Sequence, residues 1–423
     1  MKTKYILISV CILTLITSIL ACNAPVSTVT SIPEDGGGGP GSVIVTEPAV
    51  LPPPAIAVLR VAYIKADNVW LWTEGTGSSQ LTAAGSAKNP VLSGDGLVVA
   101  FIRSGELWAV NADGSNERQL VSNAFLSGLA TGGDTAEVND LVWMPGSHTI
   151  YFNTLVVAAE VGYRISQFDL YSINTDAGTI AVTTQESAGS GGVPIFSPDG
   201  TVVALAQPDK IIFLEVTGAF WNVALTFPNI MTYSEWTYVP EVVWLPDSSG
   251  VRVVIPASDP LGDPTAVTTV WNVPISGAAT VLDTFIAAPA FASAPVISPD
   301  GSEVLYLVEN GSDNNLQVRQ IGGLDTGYTF AAAGQIGIVN WSPDSTRFIY
   351  WLPQPSNTYI AAVGVIAYNV SDSSPNASSV LWIDNNRVIY VGDSGELRYR
   401  LVEGASGLID TGVTEYNFNF WVH

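Results

Sequence analysis

The sequence predicts an all-β protein, a single β-propeller of eight four-stranded blades, from three observations. A tetrapeptide that reads Ser-Pro-Asp-Gly, or a degenerate version of it, returns about every 40 to 52 residues. Each copy follows a short apolar strand that ends in a large residue, and each precedes a second apolar strand. The chain also ends in an alternating segment that has the pattern of a further inner strand. A repeat of this length, built from strands and turns, is typical of propeller blades.

Seven copies of the turn motif mark seven inner strands. Proline presets φ at the second turn position, and aspartate and glycine suit the next two positions. We therefore interpret the serine and aspartate of every copy as folding residues. The copies begin at Ser93, Met144, Ser197, Leu245, Ser298, Ser342 and Ile383, and the large residues before them are Leu92, Trp143, Phe196, Trp244, Ile297, Trp341 and Trp382.

The first blade lacks an inner strand of its own. Residues 61–64, 69–72 and 79–82 supply only its second, third and fourth strands, whereas residues 416–423 have the alternation of an inner strand. We predict that this last segment pairs with the first blade, because closure removes the open edges of the ring. Seven blades is the alternative, if an irregular unit near 242–285 or 380–412 joins a neighbour.

The amino-terminal region has the features of an export leader. Lys2 and Lys4 precede an apolar run that ends at Ile19-Leu20-Ala21-Cys22. This pattern resembles a bacterial lipoprotein signal, which implies removal of residues 1–21 and acylation of Cys22. An ordinary cleaved signal peptide or a single anchor helix would be the alternative.

A tether and a folded domain follow the leader. Residues 22–57 are rich in proline and glycine and lack lysine, arginine and aromatic residues, so we predict a flexible tether. Residues 58–423 are long enough for one propeller domain. We expect the protein in the cell envelope, anchored by lipid at the outer membrane or the cell surface, with the propeller outside the cytoplasm.

Charge and cysteine usage limit the partners. The formal net charge is −23, and it becomes −25 once the leader with its two lysines is removed. Such acidity is unfavourable for nucleic acid, so we expect no nucleic-acid partner, a membrane contact only through the lipid anchor, and a monomer. Cys11 is the only cysteine besides Cys22, and it lies in the leader, so the mature chain has no cysteine pair for a disulfide.

Three stretches resemble the repeats of TolB-like, WD-repeat-like bacterial propellers: Pro194 to Val216, Pro90 to Val121 and Pro295 to Val318. Through its repeats this resemblance covers nearly the whole predicted domain. It implies the fold and leaves the activity open, because such propellers occur as envelope scaffolds and also as gating domains beside peptidase domains.

The sequence holds little material for catalysis. His148 and His423 are the only histidines, so a Ser-His-Asp triad or a multi-histidine metal site is not expected, and no motif copy matches a sialidase box. We predict no catalytic residue, no metal site and no cofactor. Oxygen-rich hairpins at residues 113–117 and 309–315 leave structural calcium conceivable, but solvated turns are the favoured interpretation.

The two long connections between blades are the candidate binding sites. Ser122 to Asp140 and Phe227 to Glu241 combine acids with aromatic or apolar residues, a composition that suits sugars or peptides. The alternative is that the rings cap the hydrophobic end of the propeller. The candidate ligand-binding residues are Asp134, Glu137, Asp140, Tyr233, Glu235, Trp236, Tyr238 and Glu241.

These observations favour one function over two others. The leading hypothesis is a non-catalytic, membrane-tethered propeller that binds an envelope protein or an extended peptide across the face built by the connections. A carbohydrate-binding propeller is the second hypothesis. A hydrolase or lyase that uses carboxylates in the channel mouth is the third.

Lipid attachment at Cys22 can be tested directly. The variant Cys22→Ser should lose incorporation of an alkyne-labelled fatty acid and should leave the membrane fraction, because acylation requires the thiol. Labelling in cells followed by fractionation measures both effects. Cys11→Ser is the matched control and should remain labelled; persistent labelling of Cys22→Ser would contradict acylation at this residue.

Overall fold

The computed structural model describes residues 58–177, 180–182, 191–218, 221–263, 265–331, 336–353, 356–363, 365–369, 380–392 and 394–422. Over these residues it confirms a β-propeller of eight antiparallel sheets. The leader and the tether lie outside the described residues. No helix within the described ranges combines the length and the apolar character needed to span a membrane.

The first four blades occupy residues 59–226 together with the last strand of the chain. Blade 1 contains β1 (Leu59–Lys65), β2 (Asn68–Thr73), β3 (Gly77–Gln80) and β33 (Val413–Val422), and blade 2 contains β4 (Ala87–Leu92), β5 (Val98–Arg103), β6 (Glu106–Asn111) and β7 (Arg118–Val121). Blade 3 contains β8 (Thr135–Trp143), β9 (Thr149–Val157), β10 (Arg164–Ser166), β11 (Tyr171–Asn174) and β12 (Ile180–Val182), and blade 4 contains β13 (Val193–Phe196), β14 (Val202–Ala206), β15 (Lys210–Glu215) and β16 (Trp221–Thr226).

The other four blades follow in chain order. Blade 5 contains β17 (Val242–Trp244), β18 (Gly250–Ile255), β19 (Thr268–Pro274) and β20 (Thr280–Phe285), and blade 6 contains β21 (Val296–Ile297), β22 (Glu303–Asn310), β23 (Asp313–Gln320) and β24 (Leu324–Ala331). Blade 7 contains β25 (Gly337–Trp341), β26 (Phe348–Pro353), β27 (Ser356–Ala362) and β28 (Val365–Asn369), and blade 8 contains β29 (Leu381–Trp382), β30 (Arg387–Val391), β31 (Leu397–Leu401) and β32 (Ser406–Asp410).

The inner strands agree with the sequence prediction. All seven strands predicted to end in a large residue do end there, from Leu92 in β4 to Trp382 in β29. The irregular units near 242–285 and 380–412 each form a separate sheet, which excludes the seven-bladed alternative. Blade 3 departs from the pattern, because β10 and β11 both pair with β9 and together occupy the third position.

The meander gives the ring two different faces. The upper face carries the connections between blades and the hairpins between second and third strands. The lower face carries the turn motifs and the hairpins between third and fourth strands.

The motif residues hold the lower turns together. In the turn that begins at Ser197, the serine Oγ donates to Asp199 Oδ1 at 2.6 Å and accepts the backbone N–H of Val202 at 3.0 Å. The same aspartate oxygen accepts the N–H of Thr201 at 3.0 Å. The turns that begin at Ser93, Ser298 and Ser342 repeat this arrangement. These contacts are what a tight, polar turn requires.

Hydrophobic cores lie between the blades, one at each of the eight junctions. Counted over the described residues, they alternate in size around the ring. The cores of junctions 2/3, 4/5, 6/7 and 8/1 contain 16, 16, 11 and 11 buried residues. Those of junctions 1/2, 3/4, 5/6 and 7/8 contain 10, 6, 6 and 7.

Tryptophan indoles bond neighbouring blades to each other. The Nε1 of Trp143, Trp244 and Trp341 donates to a backbone carbonyl on the inner strand of the preceding blade, at 3.2, 2.9 and 3.1 Å. Trp421 reaches the carbonyl of Gly94 in blade 2 at 2.8 Å. The Nε1 of Trp382 is buried and has no partner within the described ranges. The large residue in each repeat therefore packs the core, and Trp143, Trp244 and Trp341 also join two blades by a hydrogen bond.

The ring closes as predicted, by antiparallel pairing of β33 with β1. A polar contact strengthens the adjoining junction between blades 8 and 1. Asp410 in β32 accepts hydrogen bonds from the Tyr63 hydroxyl at 2.5 Å and from Lys65 Nζ at 2.7 Å. Burial raises the pKa of Asp410, but these two donors outweigh it and hold the net pKa below its usual value.

The contact at Asp410 should contribute measurably to stability. Asp410→Ala leaves the Tyr63 hydroxyl and Lys65 without their acceptor, which costs about 1–3 kcal/mol for a partly buried group. We expect a lower urea midpoint by tryptophan fluorescence. Glu403→Ala, at an exposed hairpin of the same blade, is the control; equal midpoints for both variants would show that closure does not depend on this contact.

His148 should make the stability depend on pH. Its ring lies 2.9 Å from Asp95 of blade 2 and 2.9 Å from Asp176 of blade 3, and Arg118 lies 3.8 Å from Asp176. Burial lowers the pKa of His148, but hydrogen bonds and charges from Asp176 and Asp95 raise it more, so the net pKa is raised.

The contribution of the protonated histidine is therefore complete below the unfolded pKa of about 6.5 and is lost as pH rises through the folded pKa. His148→Gln should lower the Tm relative to wild type at pH 5.5, and the difference should shrink at pH 8.5. Thermal melts at both pH values measure this. A difference that stays constant over this range would contradict the charged bridge.

Candidate functional site

The two predicted connections lie on the upper face, although the first is shorter than predicted. It contains the helix α1 (Asn123–Leu126) and ends at Asp134, because Thr135 begins the inner strand β8. Glu137 and Asp140 are therefore strand residues and not loop residues. The second connection, 227–241, lies between β16 and β17 as predicted.

Asp134 and Glu137 contact the hairpin between β9 and β10. Asp134 Oδ1 accepts the backbone N–H of Ala159 at 2.9 Å, and Glu137 Oε2 accepts from Arg164 at 2.9 Å. Lys88 of blade 2 lies 4.0 Å from the same carboxylate. Both acids therefore position the hairpin of blade 3 relative to its neighbours.

Asp140 belongs to a buried polar network between blades 3 and 4. Asn153 donates to its carboxylate at 2.8 Å and accepts its backbone N–H at 2.9 Å, and the same amide donates to Gly192 O in blade 4 at 3.0 Å. Burial raises the pKa of Asp140, and the donors from Asn153 and Asn139 offset this only in part. The residue sits at a β-bulge in β8, where the register shifts between Val138 and Leu141.

The second connection separates into an exposed and a packed half. Tyr233 and Glu235 are exposed, and Tyr233 has φ of 54°, so the chain turns sharply there. Trp236 is half-buried and Tyr238 is buried, and both belong to the core between blades 4 and 5. Trp236 and Tyr238 thus cap the core, as in the alternative interpretation, whereas Tyr233 and Glu235 remain exposed on the upper face.

Glu241 precedes the inner strand β17 at the upper end of blade 5. Its side chain is exposed, yet the surrounding protein desolvates the carboxylate. This desolvation raises the pKa of Glu241 to about 7 and also raises the pKa of buried Tyr238.

A group of exposed apolar side chains, which the sequence analysis missed, surrounds these residues. Of 17 large apolar residues that are exposed within the described ranges, nine lie on the upper face of blades 3 to 6. The nine, which we call the upper apolar surface, are Val161, Tyr163, Ile165, Met231, Tyr233, Leu261, Val267, Ile286 and Phe291.

Direct contacts connect the parts of the upper apolar surface. The hydroxyl of Tyr163 in blade 3 donates to Glu235 at 2.9 Å. The hydroxyl of Tyr233 donates to Asp259 in the hairpin of blade 5, and its ring meets Phe291 edge-on with centroids 5.9 Å apart. The backbone N–H of Met231 donates to Ser258 O at 2.8 Å. The second connection therefore joins structures that belong to blades 3, 5 and 6.

The oxygen-rich hairpin at residues 113–117, one of the two considered for calcium, has other contacts. Asp113 accepts the N–H of Ser115 at 2.9 Å, and Glu117 forms an ion pair with Arg103 at 2.5 Å. Within the described ranges, no three side chains of His, Cys, Asp or Glu gather closely enough to hold a metal ion.

Comparisons with known proteins extend to the fold alone. No protein-family model and no curated protein matches the chain. Among solved structures, it is similar to a eukaryotic initiation factor, with a TM-score of 0.50 and 14% identity over 83% of this chain and 84% of that one. It is also similar to dipeptidyl peptidase 4 of Porphyromonas gingivalis, with a TM-score of 0.51 and 12% identity over 78% of this chain and 54% of the peptidase.

TolB from Acinetobacter baumannii aligns with a TM-score of 0.32 and 13% identity, over 63% of this chain and 62% of TolB. An alignment this weak adds nothing to the resemblance of the repeats. At such identities, the shared feature is the propeller architecture, which hosts both binding proteins and enzymes.

Proposed function

We propose that this protein is a non-catalytic, lipid-anchored propeller of the cell envelope that binds a protein or an extended peptide on the upper apolar surface. The observation that supports this most is the concentration of nine exposed large apolar side chains on one face of four consecutive blades. Single exposed apolar residues are ordinary, but a group on one face marks an interaction site.

The surface is also organised before a ligand arrives. Its hairpins and connections extend from packed strands, and the contacts of Tyr163 with Glu235 and of Tyr233 with Asp259 and Phe291 hold them to one another. A surface that is already ordered loses less conformational entropy on binding, so more of its apolar burial contributes to affinity.

The contacts of three candidate acids, Asp134, Glu137 and Asp140, favour a structural role for these residues over a catalytic one. Asp134 accepts a backbone N–H, Glu137 is paired with Arg164, and Asp140 is enclosed by asparagine amides. A carboxylate pair for glycoside cleavage would need two groups that converge on an open cleft. In our proposal Asp134 and Glu137 position the hairpin of blade 3, and Asp140 belongs to the network that joins blades 3 and 4. The lipid at Cys22 and the tether of residues 22–57 hold the ring at the membrane.

Serine substitutions on the upper apolar surface should abolish partner binding without unfolding the ring, because the chosen side chains are exposed. The variant combines Val161→Ser, Ile165→Ser, Leu261→Ser and Ile286→Ser. The wild-type or variant chain is crosslinked to its partners in detergent-solubilised native envelope, and the bound proteins are identified by mass spectrometry. We expect one envelope protein that wild type enriches at least about tenfold over this variant, in line with the loss of a few apolar contacts.

A matched control carries four equivalent substitutions elsewhere: Leu97→Ser, Val281→Ser, Leu401→Ser and Leu408→Ser. These residues are similarly exposed on the lower face and on outer strands, so this variant should enrich the same protein as wild type. Equal enrichment by all three chains would refute the proposed surface. Loss of enrichment upon addition of soluble envelope glycans would favour a carbohydrate ligand instead.

A further inference from the structure

Two tyrosine–carboxylate pairs lie within the upper apolar surface. Tyr163 donates to Glu235 Oε1 and Tyr233 donates to Asp259 Oδ1. Both rings are exposed beside their carboxylates. The second oxygens, Glu235 Oε2 and Asp259 Oδ2, have no hydrogen-bond donor within the described ranges. Each pair therefore presents a fixed negative oxygen next to an accessible aromatic ring.

The tyrosine–carboxylate hydrogen bonds favour an ionised Asp259 and protonated hydroxyls on Tyr163 and Tyr233. The hydrogen bond from Tyr233 lowers the pKa of Asp259, so this carboxylate stays ionised at neutral pH. The same bonds raise the pKa of Tyr233 and of Tyr163, so both hydroxyls stay protonated and continue to donate. The backbone N–H of Gly262 also donates to Asp259 Oδ1, at 2.9 Å, and helps to fix this carboxylate.

The charge around the pairs is negative. Glu160 and Asp263 are exposed on the hairpins of blades 3 and 5. The cations on neighbouring hairpins already have acidic neighbours, since Arg164 is bonded to Glu137 and Lys210 lies 3.9 Å from Asp209. A ligand that buries the apolar side chains here would thus meet an excess of negative charge.

We propose, building on the proposed function, that the partner of the upper apolar surface is a cationic segment in which arginine or lysine residues alternate with apolar ones. A carboxylate oxygen pairs with a guanidinium or ammonium group, and the adjacent ring adds a cation–π contact. Tyr233 and Glu235 are two residues apart in the second connection, so both pairs involve the same short stretch of chain. One segment that crosses this stretch can therefore present cations to both pairs.

The probe for this proposal is a fluorescein-labelled peptide, Leu-Arg-Phe-Arg-Leu-Arg-Phe, acetylated and amidated. Its companion carries citrulline at all three arginine positions, which removes the charge and keeps the shape. Fluorescence anisotropy with the purified full chain should show the arginine peptide binding about tenfold or more tightly than the citrulline peptide, with an advantage that declines as salt is raised.

Neutralising the two carboxylates should remove this preference. The double variant Glu235→Gln, Asp259→Asn should lose about tenfold or more in affinity for the arginine peptide and little for the citrulline peptide. The control Asp113→Asn, Glu403→Gln makes the same change in net charge at exposed hairpins of the lower face, and it should retain the preference. This control separates local recognition from attraction to an acidic protein as a whole.

Three outcomes would overturn the proposal: equal affinity for both peptides, an equal loss in the lower-face control, or no binding of either peptide up to about 1 mM, which corresponds to about −4 kcal/mol. Equal binding that disappears in the four-serine upper variant would reject the cationic partner and leave the proposed binding surface standing. Binding of both peptides that survives the four-serine variant would reject the surface as well.

Discussion

The whole structure depends on each sheet having both faces covered by its neighbours. A four-stranded sheet of this composition is apolar on two sides, and one blade alone would expose both. The eight separate cores, one at each junction, are the result. Because an end blade would leave one face uncovered, the last part of the chain must return to the first blade. The pairing of β33 with β1 does this.

The two faces of the ring respond differently to this constraint. On the lower face, turns that share one serine–aspartate arrangement connect first and second strands, as the contacts of Ser197 with Asp199 illustrate. The upper face carries segments of varied length, from short hairpins to the connection at 227–241. The repeated turn motif therefore lies on the lower face, and the segments that vary in length lie on the upper face, where a ligand can bind.

The fold could be read from the sequence because its signals are local and repeated. Proline, aspartate and glycine in turns, with a tryptophan or another large residue before them, act through neighbouring residues, and the inner strands end where this pattern says. The start of β8 is not evident from the sequence, because Glu137 and Asp140 look like loop acids although they occupy a bulged strand. The number of blades, seven or eight, depends on whether short strands such as β29 belong to a sheet of their own, as they do.

The candidate site was only half visible for a related reason. Tyr233 and Glu235 stand in a long connection and attract notice. Val161 and Leu261 lie in two hairpins 100 residues apart and look like ordinary loop residues until the ring brings them to one face. The contact between Tyr163 and Glu235 crosses 72 positions of sequence. Apolar residues at hairpin tips, compared blade by blade, are the signal that could have revealed this surface.

The junctions between blades differ in the size of their hydrophobic cores. Within the described residues, the larger cores lie at junctions 2/3, 4/5, 6/7 and 8/1, so the blades are packed together in four pairs. Local opening favours regions with few buried apolar contacts, and within the described residues the cores of junctions 3/4 and 5/6 are the smallest, with six buried residues each. The contacts of Tyr163 with Glu235 and of Tyr233 with Phe291 run towards these two junctions. A ligand that binds over both contacts would hold the blades on either side together and would reduce local opening of the ring.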